Sequence, residues 1–167
     1  MGSGAISLLI DSPLRTVYLA FRGFDAAVRR QITRFIKQDA GPIWTEEIRE
    51  RGQTRLEQRA LVGTARVGVS GTSVTLIAGG RGTLSTGTPI SAITDAAEYG
   101  SRPDKTWPVK SRSGKTYQRR MGGRFRPPRR GGYVAHRAAG DAIPRVAALV
   151  VQTVIRTFHE LVEGAGR

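Results

Sequence analysis

Residues 113–116, SGKT, have the residue types that end a phosphate-binding P-loop. In that motif backbone N–H groups surround the phosphates, while the lysine and the hydroxyl contact phosphate and Mg²⁺. The motif also needs a glycine five residues before Gly114, a buried strand ahead of the loop and a helix after it. Val109 holds the glycine position, and the polar residues Gln118-Arg119-Arg120 follow. These features favour an exposed basic loop over a nucleotide site.

The carboxylates form no pair typical of acid–base catalysis. Glu46, Glu47 and Glu50 fall within one helical turn beside arginines, which is typical of a solvated helix face. Asp95 and Glu98 are three residues apart on a short predicted helix, with no nucleophile or metal ligand close in sequence. No general acid or base is therefore predicted.

The chain has no cysteine and only two histidines, His136 and His159. Without thiols, disulfides and thiolate metal sites are excluded, and two separated histidines do not suggest a metal site. We therefore predict no catalytic residue, no cofactor and no metal, and we do not expect an enzyme.

Positive charge is concentrated in one stretch. The whole chain carries 27 Lys and Arg against 13 Asp and Glu, a net charge of +14. Residues 101–137 contain twelve of these cations and a single carboxylate, Asp104. Such an imbalance usually indicates a polyanion or an acidic protein surface as partner.

The same stretch shows no hydrophobic period, and its aromatic and proline residues support different interpretations. Its aromatic side chains could stack on bases, whereas its prolines favour extended segments that dock along a protein groove. A solvated, disordered loop is a third possibility. The aromatics are Trp107, Tyr117, Phe125 and Tyr133, and the prolines are Pro103, Pro108, Pro127 and Pro128.

The N-terminal third has the pattern of a long amphipathic helix. Asp11-Ser12-Pro13 is a typical helix start, and apolar residues then recur every three or four positions as far as Ile48. Gly41-Pro42 is expected to kink or break the helix, because the proline ring clashes with a carbonyl one turn back. The sequence thus predicts one long kinked helix, or two in tandem, ending near Arg51-Gly52.

The remaining elements complete an α+β fold. Alternating apolar residues predict a small antiparallel sheet, a hairpin over about 61–78 with its turn at Ser70-Gly71-Thr72. A short helix should run from Thr88-Pro89 to Gly100, followed by a long basic loop over 101–132 and a C-terminal helix capped by Asp141. We predict a single domain spanning 1–167.

No apolar run approaches the roughly 20 residues of a membrane span. The start, MGSGAISLLIDSP, lacks the basic segment of a signal peptide. We expect a cytosolic protein without a membrane partner.

The order of elements resembles the small neck proteins of long-tailed bacteriophages. This tail-completion or tail-component family is encoded between the head-closure and tail-tube genes. The short helix ends in AAEYG at 96–100, similar to the family segment of the type A-x-x-x-E-[FY]-G that follows the hairpin. The resemblance covers roughly residues 12–163. Family members often have an aromatic–proline pair before the last helix, whereas Tyr133-Val134 is followed here by Ala135-His136.

The resemblance implies a structural virion protein of the head–tail junction. Such a protein forms a ring, a hexamer of identical copies, that completes or terminates the tail and joins it to the head. Its partners would be the head-closure protein, the tail-tube or tail-terminator protein and, non-specifically, the genomic DNA in the channel. Its location would be the neck or tail of the virion, after assembly in the host bacterial cytoplasm.

Within this interpretation, residues 101–132 are expected to form an arm that only a partner can order. Like charges, prolines and glycines leave nothing local to hold the segment. A ring of tight phosphate contacts would retard DNA passing through a channel, so a neighbouring protein ring is the favoured partner. The alternative function is a small basic nucleic-acid-binding protein, although no recognised module is present. The predicted partner-binding residues are Arg119, Arg120, Arg124, Arg126, Arg129 and Arg130.

Overall fold

The computed structural model describes residues 19, 21–70, 73–111 and 113–165. The predicted α+β class, with a long N-terminal and a long C-terminal helix, is confirmed. The helices are α1 (Ala26–Arg51), α2 (Arg55–Ala60), α3 (Thr94–Tyr99) and α4 (Ala135–Ala165), with 3₁₀ turns at Val62–Thr64, Ile90–Ala92 and Gly122–Arg124. The strands are β1 (Arg66–Ser70), β2 (Ser73–Ile77), β3 (Thr106–Lys110) and β4 (Thr116–Arg120).

Contacts divide the chain into two compact units. The first contains the described residues of Met1–Glu47, Ala65–Ile77 and Ala138–Arg167. The second contains those of Ile48–Thr64 and Ala78–Arg137. Because each unit is assembled from segments distant in sequence, no single linker separates them.

Helix α1 begins later than the sequence suggests and then continues without interruption. The predicted start at Asp11-Ser12-Pro13 lies outside the described residues. A first helical stretch includes 21–23, and a new helix starts after Asp25, whose carboxylate accepts the N–H groups of Ala27 (2.7 Å) and Val28 (2.9 Å). The helix then runs through Pro42 to Arg51, so the alternative of a second helix after Gly41-Pro42 is wrong.

The Asp25 cap makes part of the stability dependent on pH. Hydrogen bonds from the backbone of Val28 and Ala27 lower the pKa of Asp25. The stabilisation is therefore complete above the unfolded-state pKa of about 3.9 and is lost as the pH falls through the lower folded pKa. We expect Asp25→Asn, which keeps a capping oxygen, to flatten the dependence of Tm on pH below 5.

Thermal unfolding followed by circular dichroism over roughly pH 2–7 measures this effect. Asp25→Ala should also lower Tm at neutral pH, because it removes the capping oxygen. An unchanged pH profile in Asp25→Asn would contradict the assignment.

The first unit has a core between the two long helices and the first hairpin. Phe21, Ile32, Ile36 and Val154 are buried together. Partly buried apolar side chains surround them, namely Phe24, Val28, Val69, Val74 and Val150. The stripe predicted from the three- and four-residue spacing is thus the packing face of α1.

Strands β1 and β2 pair antiparallel, with Val69 opposite Val74. The hairpin is shorter than the predicted 61–78, because Leu61 and the following 3₁₀ turn at Val62–Thr64 belong to the end of the helical segment. Two residues of the predicted turn, 71 and 72, lie outside the described part of the chain.

An ion-pair cluster in the first unit links α1 to α4. Arg145 donates to Glu47 at 2.5 Å and to Glu46 at 3.1 Å. These hydrogen bonds, that to Glu47 foremost, raise the pKa of Arg145. Glu47 is buried, so its interpretation as part of a solvated face is wrong.

The basic segment contains a second hairpin, which contradicts the prediction of a loop without regular structure. Strands β3 and β4 pair antiparallel, with Trp107 opposite Arg119 and Val109 opposite Tyr117. The alternation of these short strands is obscured in the sequence by Pro108 and by the high density of cations.

Helix α4 starts at Ala135, six residues before the predicted cap Asp141, which lies inside the helix. By length and hydropathy alone, Ala135–Glu163 could cross a membrane, contrary to the expectation from the sequence. One such helix is weak evidence, because core helices of soluble proteins pass the same test. Ala138, Ala142, Val146 and Val154 of this helix are buried.

Candidate functional site: a basic hairpin and cleft

The segment after the second hairpin is attached to the second unit by Arg126. Its Nε lies 3.1 Å from Glu57 Oε1, and its guanidinium also donates to Gln53 Oε1 at 2.8 Å. The Glu57 side chain is only 3% exposed, so this pair is screened little by solvent. Arg126 therefore binds a carboxylate of its own chain, not one that a partner must supply.

Glu57 also caps helix α2. Its second oxygen accepts the N–H groups of Gln53 (2.9 Å) and Thr54 (3.0 Å). The Thr54 hydroxyl accepts the N–H of Glu57 at 3.1 Å, which completes a capping box. The position of Arg126 thus depends on a carboxylate that the helix start holds in place.

Tyr133 fixes the other side of this segment. The guanidinium carbons of Arg126 and Arg129 lie 4.8 and 5.4 Å from the centre of its ring. Its hydroxyl donates to the Pro127 carbonyl at 2.9 Å. These contacts order residues 126–133 within the chain, so the expectation that nothing local holds them is wrong.

Backbone hydrogen bonds join this segment to the end of α3. The N–H of Ser101 donates to the Arg126 carbonyl (2.9 Å), and the N–H of Arg129 donates to the Tyr99 carbonyl (2.7 Å). Gly100 lies between them with φ +76°, and a Cβ there would collide with the Arg126 and Pro127 carbonyls. The close approach therefore requires glycine at this position.

Glu98 is the cap of α4. This side chain accepts the backbone N–H groups of Val134 (3.3 Å), Ala135 (2.7 Å) and His136 (2.8 Å). Its carboxylate faces the positive end of the helix dipole, and the residue is 5% exposed. The AAEYG segment thus has a structural role, in which Glu98 starts α4 and Gly100 admits the Arg126–Pro127 backbone.

Sequence reasoning missed this role because Glu98 and the helix that it caps are 36 residues apart. Gly132 was the available signal. It adopts φ +61° directly before the helix, and a Cβ there would collide with the Glu98 carboxylate.

A cleft of about 750 Å³ opens beside these contacts. We call it the basic cleft; its walls are residues 99–105 and 128–130. Four cations line it, Arg102, Lys105, Arg129 and Arg130, together with one carboxylate, Asp104. Within the described part of the chain, none of the four cations lies within ion-pair distance of a carboxylate.

The basic hairpin, residues 105–120, has two different faces. Side chains alternate along the strands, so Trp107, Val109, Tyr117 and Arg119 share one face. Thr106, Pro108, Lys110, Thr116, Gln118 and Arg120 share the other. Every residue of β4 is exposed, and Tyr117 exposes 48% of its surface.

The six predicted partner-binding residues do not form one cluster. Arg119 and Arg120 lie on opposite faces of β4, and Arg124 ends the 3₁₀ turn that follows. Arg129 and Arg130 line the basic cleft, whereas Arg126 is bound internally. Sequence reasoning missed Arg102 and Lys105 as members of the cleft.

The SGKT residues lie at the tip of the hairpin. Gly114 has φ +82° and donates its N–H to the Ser111 carbonyl at 3.0 Å, and a strand follows instead of a helix. The geometry of a P-loop is therefore not present, as the exposed-loop interpretation expected. Among the described residues, no three His, Cys, Asp or Glu side chains could hold a metal ion together.

A second surface lies in the first unit. Ile155, Phe158, Leu161 and Val162 each expose between 40% and 56% of their area near the end of α4. We call them the exposed α4 stripe. The Phe158 ring lies 6.5 Å from that of Phe24, so the stripe borders the core of this unit.

Comparison with protein-family models, curated proteins and solved structures finds no match for this chain.

Proposed function

We propose that the chain is a structural virion protein of the neck of a long-tailed phage. It forms a ring at the head–tail junction that completes or terminates the tail and joins it to the head. The order of elements supports this proposal: a long basic helix, a hairpin, a short helix ending in AAEYG, a basic arm and a long last helix. The ring, the neighbouring neck proteins, the channel DNA and the virion location all belong to the proposal.

The observation that carries the proposal is the exposed α4 stripe. Ile155, Phe158 and Val162 follow the three- and four-residue spacing of one helix face. Contiguous exposed apolar side chains of this size are typical of interfaces. In a closed ring the same patch on every copy meets the next copy, so the stripe is buried without a second kind of subunit.

The arm retains a role in this proposal with a changed set of residues. Arg126 is bonded to Glu57, and its replacement would disturb the second unit along with any partner contact. The residues offered to a neighbouring ring are therefore Arg119, Arg120, Arg124, Arg129 and Arg130, each of which is exposed.

The test is complementation of a phage in which the gene for this chain has been inactivated. We expect the wild-type chain to restore joined particles, and cryo-electron microscopy to show a ring of copies at the neck. Phe158→Asp together with Val162→Asp should reduce joined particles by at least tenfold, because charged side chains cannot be buried in an apolar interface.

The matched control is Gln152→Asp together with His159→Asp, which adds two carboxylates at exposed positions of the same helix. This control should join heads to tails normally. Normal joining by the Phe158/Val162 variant, or particles with a single copy that contacts no other, would refute the proposal.

A further inference from the structure

The basic cleft and the basic hairpin form one continuous cationic surface. Lys105 lines the cleft, and its carbonyl accepts the Met121 N–H at 2.8 Å, which continues the β3–β4 ladder to the cleft. Four more described cations follow on the hairpin, Lys110, Lys115, Arg119 and Arg120. Within the described residues, none of these four pairs with a carboxylate. The surface therefore presents a row of charges that the described part of the chain leaves uncompensated.

The cleft wall is ordered before any ligand arrives. The Arg129 backbone is bonded to Tyr99, and its guanidinium lies over the Tyr133 ring. A side chain held in this way loses less conformational entropy on binding an anion. The cleft is thus suited to an anionic group at a fixed position.

The hairpin edges disfavour a β-strand as partner. Ser111 donates its N–H to Lys115, and Met121 donates to Lys105, so odd-numbered residues carry the ladder hydrogen bonds. The N–H positions at 106, 108 and 110 therefore face outward on β3, and Pro108 supplies none in the middle. Proline and lysine on an edge strand are typical protection against strand addition.

The aromatic face points to nucleic acid instead of an acidic protein. Tyr117 and Trp107 share a face with Arg119, and flat rings beside a guanidinium suit stacking on bases. A two-stranded ribbon also fits the major groove of duplex DNA. An acidic protein surface would match the cations but would not use exposed rings in this arrangement.

From these observations we infer that the basic hairpin and the basic cleft bind nucleic acid through its phosphate backbone, with Tyr117 and Trp107 placed to stack on exposed bases. This inference does not depend on the proposed ring. It replaces the predicted arginine cluster of 119–130 with a surface that adds Arg102, Lys105, Lys110 and Lys115 and omits Arg126.

The test measures binding of the full-length chain to labelled duplex and single-stranded oligonucleotides by fluorescence anisotropy. The hairpin variant carries Lys110→Gln, Lys115→Gln, Arg119→Gln and Arg120→Gln. For duplex DNA each lost phosphate contact lowers the slope of log K against log salt by about 0.9. We expect the slope to fall by about 3 in this variant.

The matched control removes four exposed cations elsewhere, with Arg29→Gln, Arg34→Gln, Lys37→Gln and Arg59→Gln. It has the same net charge, and its slope should fall by less than about 1. Tyr117→Ala should weaken single-strand binding by roughly tenfold and leave the duplex slope unchanged.

Circular dichroism checks that all variants are folded. Equal loss of affinity in both quadruple variants would overturn the inference, because net charge alone would then explain binding. Equally tight binding of poly-glutamate, with the same response to the hairpin variant and to Tyr117→Ala, would assign the surface to an acidic protein. Loss of oligonucleotide binding by a hairpin variant that still joins heads to tails would support the inference and leave the ring proposal intact.

Discussion

Glu98→Ala is expected to lower the free energy of unfolding by about 3 kcal/mol. The substitution removes the acceptor of three N–H groups, on Val134, Ala135 and His136. Val134 is fully buried, so water cannot readily replace the carboxylate there. The favourable interaction with the dipole of α4 is lost as well. Urea denaturation followed by far-UV circular dichroism measures the change.

Two further substitutions separate capping from a general effect on α3. Glu98→Gln keeps one acceptor oxygen and should cost less than Glu98→Ala. Asp95→Ala removes an exposed carboxylate from the same helix and should change stability by less than about 0.5 kcal/mol. If Glu98→Ala were as stable as Asp95→Ala, the capping role would be wrong.

Trp44→Ala should destabilise the first unit by about 3–5 kcal/mol. Trp44 is 1% exposed, and its indole N–H donates to the carbonyl of Ile77 at 3.0 Å, at the end of β2. Truncation leaves a large cavity and a carbonyl without its donor. Because the ring joins α1 to the first hairpin, we expect the loss in thermal and urea unfolding alike.

Trp44→Phe divides this effect into its parts. The phenyl ring fills most of the volume but cannot donate to Ile77, so we expect a loss of about 1–2 kcal/mol. Trp107→Phe, on the exposed hairpin, is the control at the only other tryptophan and should leave stability nearly unchanged. A Trp44→Ala chain that unfolds at the wild-type urea concentration would contradict the packing role.

These two residues stabilise the framework that presents the proposed surfaces. Glu98 fixes the start of α4 within the second unit, next to the residues that hold the wall of the basic cleft. Trp44 belongs to the first unit, which carries the exposed α4 stripe. Destabilised variants should therefore lose binding or assembly only in proportion to unfolding, whereas surface variants should lose function while folded.

The α+β class and the helical stripe were predictable because burial of an amphipathic face leaves a local period. The spacing of Ile32 and Ile36 is enough to predict the core side of α1. The alternation of Val67, Val69 and Val74 likewise predicts the first hairpin. The absence of a P-loop was also readable, since Val109 stands where the motif needs glycine.

What the sequence alone determined is therefore the set of local periods and the strong charge of residues 101–137. The tertiary structure decided which charges are free. Arg126 and Arg129 have the same neighbours in sequence composition, yet the first is bonded to Glu57, 69 residues earlier in the chain, and the second lines the cleft. Glu98 caps a helix that begins 37 residues later. The physical reason is that ion pairs and helix caps depend on distance in space, and contacts between remote segments leave no period in the sequence.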